Sequence, residues 1–359
     1  MASIKDVAKR AGVSISTVSH ALNGTKNVGE DLVKRVKIAA QELNYEVDPV
    51  ARSMRKKNTS TIGVITADMC GLFYPYVLRG IYEIAFKHGY SVYIYDTSAT
   101  RDTGTASYAK EKEGIKMFTS NRVDGIIFSS MVQADMEQAF ANEIKDITQS
   151  KKKIALVSIE RDFSQFGISS IFSDSFEGAA KATAYLLRIG CKKIGHITGP
   201  VNFKIAQDRM KGYKTTMESA GYLVDADTMT ANGDYTHQSG YLGMKKLLHT
   251  MPDMDGVFVA NDQMAIGVCM ALKEYKKRIP EDVKVIGYDD VFVSSVVEPS
   301  LSTIYAKKRS LGVEAARALI AQIQNEACSE VLQLKLATRL VIRKSTEAMA
   351  PSDWILSEW

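Results

Sequence analysis

The sequence predicts a small all-α head, a short basic linker and an α/β body of two lobes built on parallel sheets. Three observations lead there. Charge is unevenly placed: residues 1–60 hold 11 of the 46 Lys and Arg and 6 of the 41 Asp and Glu, leaving 35 of each in the remainder. The first 46 residues follow a helical period broken by glycine. From Thr61 onward, apolar runs of strand length alternate with amphipathic segments. At 359 residues the chain can form two or three units, each with its own core.

The head is expected to contain three helices. Ser3 and Asp6 have capping-box spacing, and Ile4, Val7, Ala8 and Ala11 then form one apolar stripe. Gly12 breaks that helix. Ser14 caps a second, from about Ile15 to Leu22, whose inward residues are Val18, Ala21 and Leu22. Asn23-Gly24 is a turn signal, and a third helix from about Glu30 to Leu43 buries Leu32, Val36, Ala39 and Leu43. Helix, tight turn and helix is the helix-turn-helix arrangement. The second helix turns Ile15, Ser16, Thr17, Ser19 and His20 away from the stripe. Small hydroxyl side chains and free backbone N–H groups at a helix start suit phosphates and base edges. A net charge of +5 confined to this end points the same way, toward a polyanion.

The linker, Val47–Asn58, has Asp48 at an N-cap position and Pro49 where a helix begins. About nine residues rich in Arg and Lys make a marginal helix in water. The segment is therefore expected to order only against DNA and a partner subunit.

In the body, strand candidates are TIGVI (61–65), SVYIY (91–95), DGIIF (124–128), KIALVSI (153–159), KKIGHIT (192–198), DGVFVA (255–260) and VKVIGY (283–288). Helical stretches such as Tyr76–His88, Glu177–Ile189 and Gln263–Tyr275 separate them. Continuous apolar strands interleaved with helices imply parallel sheets covered on both faces, and ligands in such sheets bind beyond the strand C-termini. Polar groups collect at those ends: Asp68, Glu160-Arg161, Asn261-Asp262 and Asp289-Asp290, with Arg209 nearby. Each one alone suits a helix cap or a salt bridge. Together they can hydrogen-bond hydroxyls, with Phe73, Tyr74 and Tyr235 as flat stacking faces.

Composition excludes other classes. No apolar stretch approaches the ~20 residues of a membrane span, and MASIKDVAKR lacks the apolar run of a secretion signal, so the cytoplasm is the expected compartment. Cys70, Cys191, Cys269 and Cys328 are scattered, without a CxxC pair or histidines at ligand spacing, so neither a disulfide framework nor a metal site is expected. No GxSxG, HExxH, P-loop or GxGxxG after a strand appears, so no catalytic residue and no cofactor is assigned.

IKDVAKRAGVSISTVSHALNG closely resembles the opening of the LacI/GalR family of transcription regulators, the lactose-, galactose- and purine-repressor family, and VARSM recurs at the family's distance. TGP, RMKGY, VANDQMAIG, VIGYDD and SLSTI extend the resemblance over nearly the whole body, which in that family is periplasmic-binding-protein-like. The resemblance implies a homodimer on near-palindromic operator DNA, controlled by a sugar-like effector between the lobes. Carried over by position, Ser16, Thr17 and His20 read bases, while Ser14, Ser19 and Asn23 contact the backbone. Arg52, Arg55, Lys56 and Lys57 meet phosphates, and Met54 stands where the family wedges a leucine into the minor groove. Phe73, Tyr74, Glu160, Arg209, Tyr235, Asn261 and Asp289 fall at effector positions. Phe203 and Ile205 replace polar contacts of the purine-responsive branch, which argues against a purine, and Glu160 stands where relatives have Asp.

The expected boundaries are 1–46 for the head, 47–60 for the hinge, 61–345 for the body and 346–359 for a tail. Within the body, one lobe takes roughly 61–160 plus 291–322 and the other 161–290 plus 323–345. Dimer contacts would come from Tyr76–His88 and Thr105–Ser120, and APSDWILSEW lacks the leucine heptads of the tetrameric relative. Control by a phosphoprotein corepressor and a stand-alone sugar-binding role are the alternatives.

Overall fold

The computed structural model describes residues 2–23, 28–45, 58–98, 105–150, 153–324 and 330–351. The chain divides into two compact units, Met1–Ser60 and Thr61–Trp359.

The first unit is a three-helix cluster of α1 (Ile4–Ala11), α2 (Ile15–Asn23) and α3 (Glu30–Glu42). Ser3 donates from both its backbone N–H (2.8 Å) and its hydroxyl (2.7 Å) to the Asp6 carboxylate, which fixes the start of α1. Gly12, at φ 65°, ends that helix in the left-handed conformation. Arg35 reaches across from α3 to cap the Ala11 carbonyl at 2.6 Å. Val7, Val18 and Val36 are fully buried where the three stripes meet. Linker residues 46–57, with Arg52, Met54, Arg55 and Lys56, lie outside the described residues.

The second unit carries two six-stranded sheets. The first sheet is ordered β11-β5-β4-β3-β1-β2: β1 (Thr61–Thr66), β2 (Ser91–Asp96), β3 (Gly125–Ser129), β4 (Ala155–Ile159), β5 (Ser169–Ser173) and β11 (Gln333–Leu336), all in parallel pairs. The second is ordered β12-β10-β9-β8-β6-β7: β6 (Ile194–Thr198), β7 (Thr230–Asn232), β8 (Gly256–Val259), β9 (Lys284–Asp289), β10 (Ser302–Tyr305) and β12 (Arg339–Val341). Only its β10–β12 pair is antiparallel.

Around the first sheet pack α4 (Tyr74–Lys87), α5 (Thr105–Ser120), α6 (Glu137–Gln149) and α13 (Lys308–Gln324). The second takes α7 (Ser175–Arg188), α8 (Lys204–Ser219), α9 (Ala226–Met229), α10 (His237–Thr250), α11 (Asp262–Glu274) and the short α12 (Phe292–Val296). Each sheet has a separate apolar cluster on each face, which is why β1, β3, β6 and β8 are buried along their whole length. Helices α4 and α13 cross closely at two glycines. A Cβ on Gly312 would lie 2.0 Å from the Val77 carbonyl oxygen, and one on Gly80 would lie 2.2 Å from that of Arg309.

The chain crosses between lobes three times, after β5, after β10 and after β11. This corrects the expected lobe limits. Strand β5 (Ser169–Ser173) completes the first sheet although it follows residue 160, and β10 (Ser302–Tyr305) belongs to the second although it follows 291. Strand β11 (Gln333–Leu336) returns to the first. These strands are four or five residues long and partly polar, so their apolar pattern does not say which sheet completes them; long-range pairing does. The expected tail limit moves as well. Thr346 and Ala350 are buried, and the Ser345 hydroxyl donates to the Val285 carbonyl at 2.6 Å, so the chain is docked on the second lobe through Ala350. Trp354 and Trp359 lie outside the described residues. Among the described residues no helix is long and apolar enough to cross a membrane.

Candidate functional site

Strand order brings the C-terminal ends of both sheets to one cleft. Its cavity is lined by Phe73, Tyr74, Glu160, Arg209, Tyr235, Asn261 and Asp289, with Phe203 and Ile205 beside them. The seven residues at effector positions thus share one wall system although they are spread over more than 200 positions of sequence.

On the first lobe, Glu160 sits at the end of β4 in the left-handed conformation, φ 68°. The Tyr74 hydroxyl (2.5 Å) and the Ser129 hydroxyl (2.6 Å) both donate to its Oε2, and the residue lines the cavity. Burial raises the Glu160 pKa, against the pull of those two donors and of Arg209 and Arg161. Burial, reinforced by Glu160, holds the Tyr74 phenol protonated. Phe73 meets Tyr74 edge-on at 5.4 Å, and Ala67, Tyr74, Met131 and Phe203 form the apolar wall.

On the second lobe, the Arg209 guanidinium lies 3.7 Å over the Tyr288 ring, donates to the Ala260 carbonyl and pairs with Asp289 at 3.7 Å. That separation is an ion pair without a close hydrogen bond, so both partners keep capacity for a third group. Burial raises the Asp289 pKa, with Arg209 opposing. Burial also works against the Arg209 charge, yet Asp289 and the neighbouring phenols hold its pKa above the ordinary value. Asn261 caps α11 by accepting from Met264 N–H at 2.9 Å and donates to the Tyr235 carbonyl at 3.2 Å. The Tyr235 hydroxyl is buried without a hydrogen-bond partner among the described residues. Its ring fits only because residue 199 is glycine, where a Cβ would come within 2.3 Å of the ring.

Three supporting residues escaped the sequence reading. Glu111, buried inside α5, accepts from Ser130 Oγ (2.6 Å) and Met131 N–H (2.7 Å), and so holds the loop that floors the cavity. Nothing in the pattern of α5 marks a buried acid. Ser129 and Ser130 end the strand DGIIFSS, and the strand-end rule applied to the other strands would have found them. Arg161, noted only as a neighbour of Glu160, donates to the Ser130 (3.0 Å) and Val132 (2.6 Å) carbonyls and pairs with Glu137, so its charge is already engaged.

In the head, Ser14 caps α2 by accepting from Thr17 N–H at 3.1 Å; its hydroxyl also meets those of Ser16 (2.7 Å) and Thr17 (2.8 Å). Ser14 and Ser16 are exposed, and Thr17 and His20 partly so. Ser19, expected on the same outward face, is only 9% exposed. It follows fully buried Val18 on α2, which packs against both α1 and α3. Asn23 ends α2.

Residues 3–48 match the LacI family of bacterial regulatory proteins, and residues 183–346 match the periplasmic binding protein-like domain. The HTH-type transcriptional repressor PurR of Haemophilus influenzae is 32% identical over 352 residues, 97% of this chain and 100% of that protein. The ribose operon repressor of Escherichia coli is 34% identical over 325 residues, 90% of this chain and 93% of that one. Among solved structures, the lac repressor dimer bound to operator and an anti-inducer superposes with a TM-score of 0.83 at 26% identity, covering 96% of this chain and 99% of that chain. A cellobiose complex of the regulator CelR gives 0.69 at 27% identity, covering 96% and 100%. A helix-turn-helix head, a two-lobed parallel body and relatives matched end to end agree: the chain belongs to the LacI family of DNA-binding bacterial regulators.

Proposed function

We propose that this regulator is a cytoplasmic, non-enzymatic repressor that binds a near-palindromic operator as a homodimer and is switched by a small, neutral, hydroxyl-rich molecule, a sugar or close derivative, held between the lobes. The observation that carries the reading is the unfinished polar set of the cleft: the loose Arg209–Asp289 pair, the lining carboxyl of Glu160 and the unpartnered Tyr235 hydroxyl. A sugar hydroxyl donates and accepts at once. It can give to Asp289 or Glu160 while taking from Arg209 or Tyr235, and the apolar ring faces find Phe73 and Phe203.

Charge argues for a neutral ligand. Asp68, Glu160 and Asp289 face the cavity against Arg209 and Arg161, and Arg161 is consumed by Glu137 and two carbonyls. Among the described lining residues that leaves Arg209, which already faces Asp289, so a phosphate or carboxylate would have to compete with Asp289 for it, and an unpaired buried anion is costly.

Ser16, Thr17 and His20 would read base edges, with Ser14 and Asn23 on the backbone. Arg52, Arg55 and Lys56 would add the salt-dependent attraction to phosphates, and Met54 the minor-groove wedge. Ligand binding favours one arrangement of the lobes, and ~1–3 kcal/mol of coupling suffices to change operator occupancy. An exposed apolar strip supports the homodimer. Tyr82 (59% exposed) stacks on Phe86 (70% exposed) along α4, and Tyr93 and Ile94 are exposed on edge strand β2.

Two measurements test the proposal. Selection from a random duplex library with the full-length protein should enrich a near-palindrome; salt-sensitive binding with no enriched sequence overturns the operator reading. Calorimetry should then find binding among D-ribose, D-glucose and cellobiose. Binding confined to ribose 5-phosphate would overturn the neutral ligand, and binding confined to hypoxanthine would overturn the sugar.

A further inference from the structure

Asp289 and Asp290 are consecutive non-glycine residues with left-handed backbone, φ 106° and 57°. Such conformations persist only where the surroundings over-determine them. The turn that contains them, Asp289 to Phe292, joins β9 to α12 in the second lobe. Two of the groups that hold its backbone come from the first lobe.

Lys308, the first residue of α13, is 1% exposed, and its ammonium donates to the main-chain carbonyls of Asp289 (2.5 Å) and Asp290 (2.8 Å). The Tyr76 ring on α4 lies 5.1 Å from that ammonium, and the Tyr76 hydroxyl accepts from Phe292 N–H at 3.3 Å. From the second lobe, Tyr305 faces the same ammonium at 5.4 Å, Asp262 accepts from Val291 N–H at 3.0 Å, and Arg343 pairs with the Asp290 carboxylate at 2.7 Å. The close glycine crossing makes α4 and α13 one rigid pair.

We propose that Lys308 is a positioning residue that latches this turn to the α4–α13 pair, with Tyr76 as its second point of attachment. The same residue then serves two lobes. The side chain of Asp289 faces the cavity and its carbonyl is bound to Lys308, so a shift of the carboxyl is passed by the main chain to the first lobe. This deepens the reading of Asp289 as an effector contact and rests on it for its biological purpose. The latch itself exists without ligand.

The test therefore uses no ligand, and its failure is distinguishable from failure of the effector reading. Amide hydrogen exchange is measured on the full-length protein, wild type against Lys308→Met, Tyr76→Phe and Asp290→Asn. Lys308→Met should speed exchange across 289–296 and the first turn of α13 at least 10-fold, with peptides from β8 and the middle of α11 unchanged. Tyr76→Phe should raise exchange locally at Phe292. Asp290→Asn, a change in the second lobe, should raise exchange at the start of α13 in the wild-type background but add nothing in Lys308→Met. Unchanged exchange across the turn in Lys308→Met, a uniform rise over the whole second lobe, or additive effects of Asp290→Asn and Lys308→Met would each overturn the latch.

Discussion

Replacing Tyr235 by phenylalanine should stabilise the ligand-free regulator while weakening its effector. Tyr235 sits before α10 in the left-handed conformation, φ 69°, with its carbonyl bound by Asn261 and its ring seated over Gly199. The hydroxyl at the end of that ring is buried without a partner. An unsatisfied buried hydroxyl costs ~1–3 kcal/mol. At the lower end, ~1 kcal/mol corresponds to a rise of about 2 °C in Tm for a body of this size. On the proposed reading, the same oxygen gains a sugar hydroxyl to bind in the complex. Losing one neutral hydrogen bond of ~0.5–1.5 kcal/mol weakens binding roughly 2- to 10-fold. Differential scanning calorimetry of the free protein and titration calorimetry with the sugar found in the panel read the two effects separately. A lower Tm would mean the hydroxyl already has a partner in the free protein, and unchanged affinity would mean the ligand never reaches it. Either result refutes the reasoning.

Other perturbations have equally definite outcomes. Gly199→Ala places a methyl where the Tyr235 ring now lies, so effector binding should fall at least 10-fold while operator affinity of the ligand-free protein stays within about 2-fold; equal loss of both would mean the change unfolds the lobe. Asp289→Ala should abolish the ligand response and leave ligand-free operator affinity nearly unchanged, and a surviving response would remove Asp289 from the site. His196 on β6 is fully buried and stacked on Phe258 of β8 at 4.7 Å, and burial lowers its pKa to about 4. The unfolded chain binds that proton more readily. Stability from His196 is therefore complete above about pH 6.5 and lost as pH falls through 4, in total ~3 kcal/mol. Urea unfolding between pH 7 and 5 should show this slope, and His196→Gln should flatten it. Met54→Gly should weaken operator binding far more than binding to random duplex, because it removes an apolar wedge and keeps the phosphate contacts; equal losses would show that Met54 does not insert.

The sequence alone determined the three head helices and both kinds of layer in the body, and it collected polar strand ends for a cleft; the family resemblance picked out seven of the residues that line it. The reason is local. Helical period, caps such as Ser3 and Ser14, and unbroken apolar strands depend on neighbours a few residues away, and a parallel sheet sends every polar strand end to the same edge. Tertiary structure decided what depends on distant partners. The short polar strands β5, β10 and β11 took their sheets from pairing across up to 163 positions, as in the bond from Leu332 N–H to the Ser169 hydroxyl. Ser19 is buried although its own pattern turns it outward, and Glu111 became an interior acid because the Ser130 hydroxyl and the Met131 N–H of the loop after β3 met it there. Lys308 shows the same limit. A lysine at a helix start reads as a solvated charge, and only the approach of a second lobe's carbonyls, which supply the hydrogen bonds that water would otherwise give, makes its burial stable.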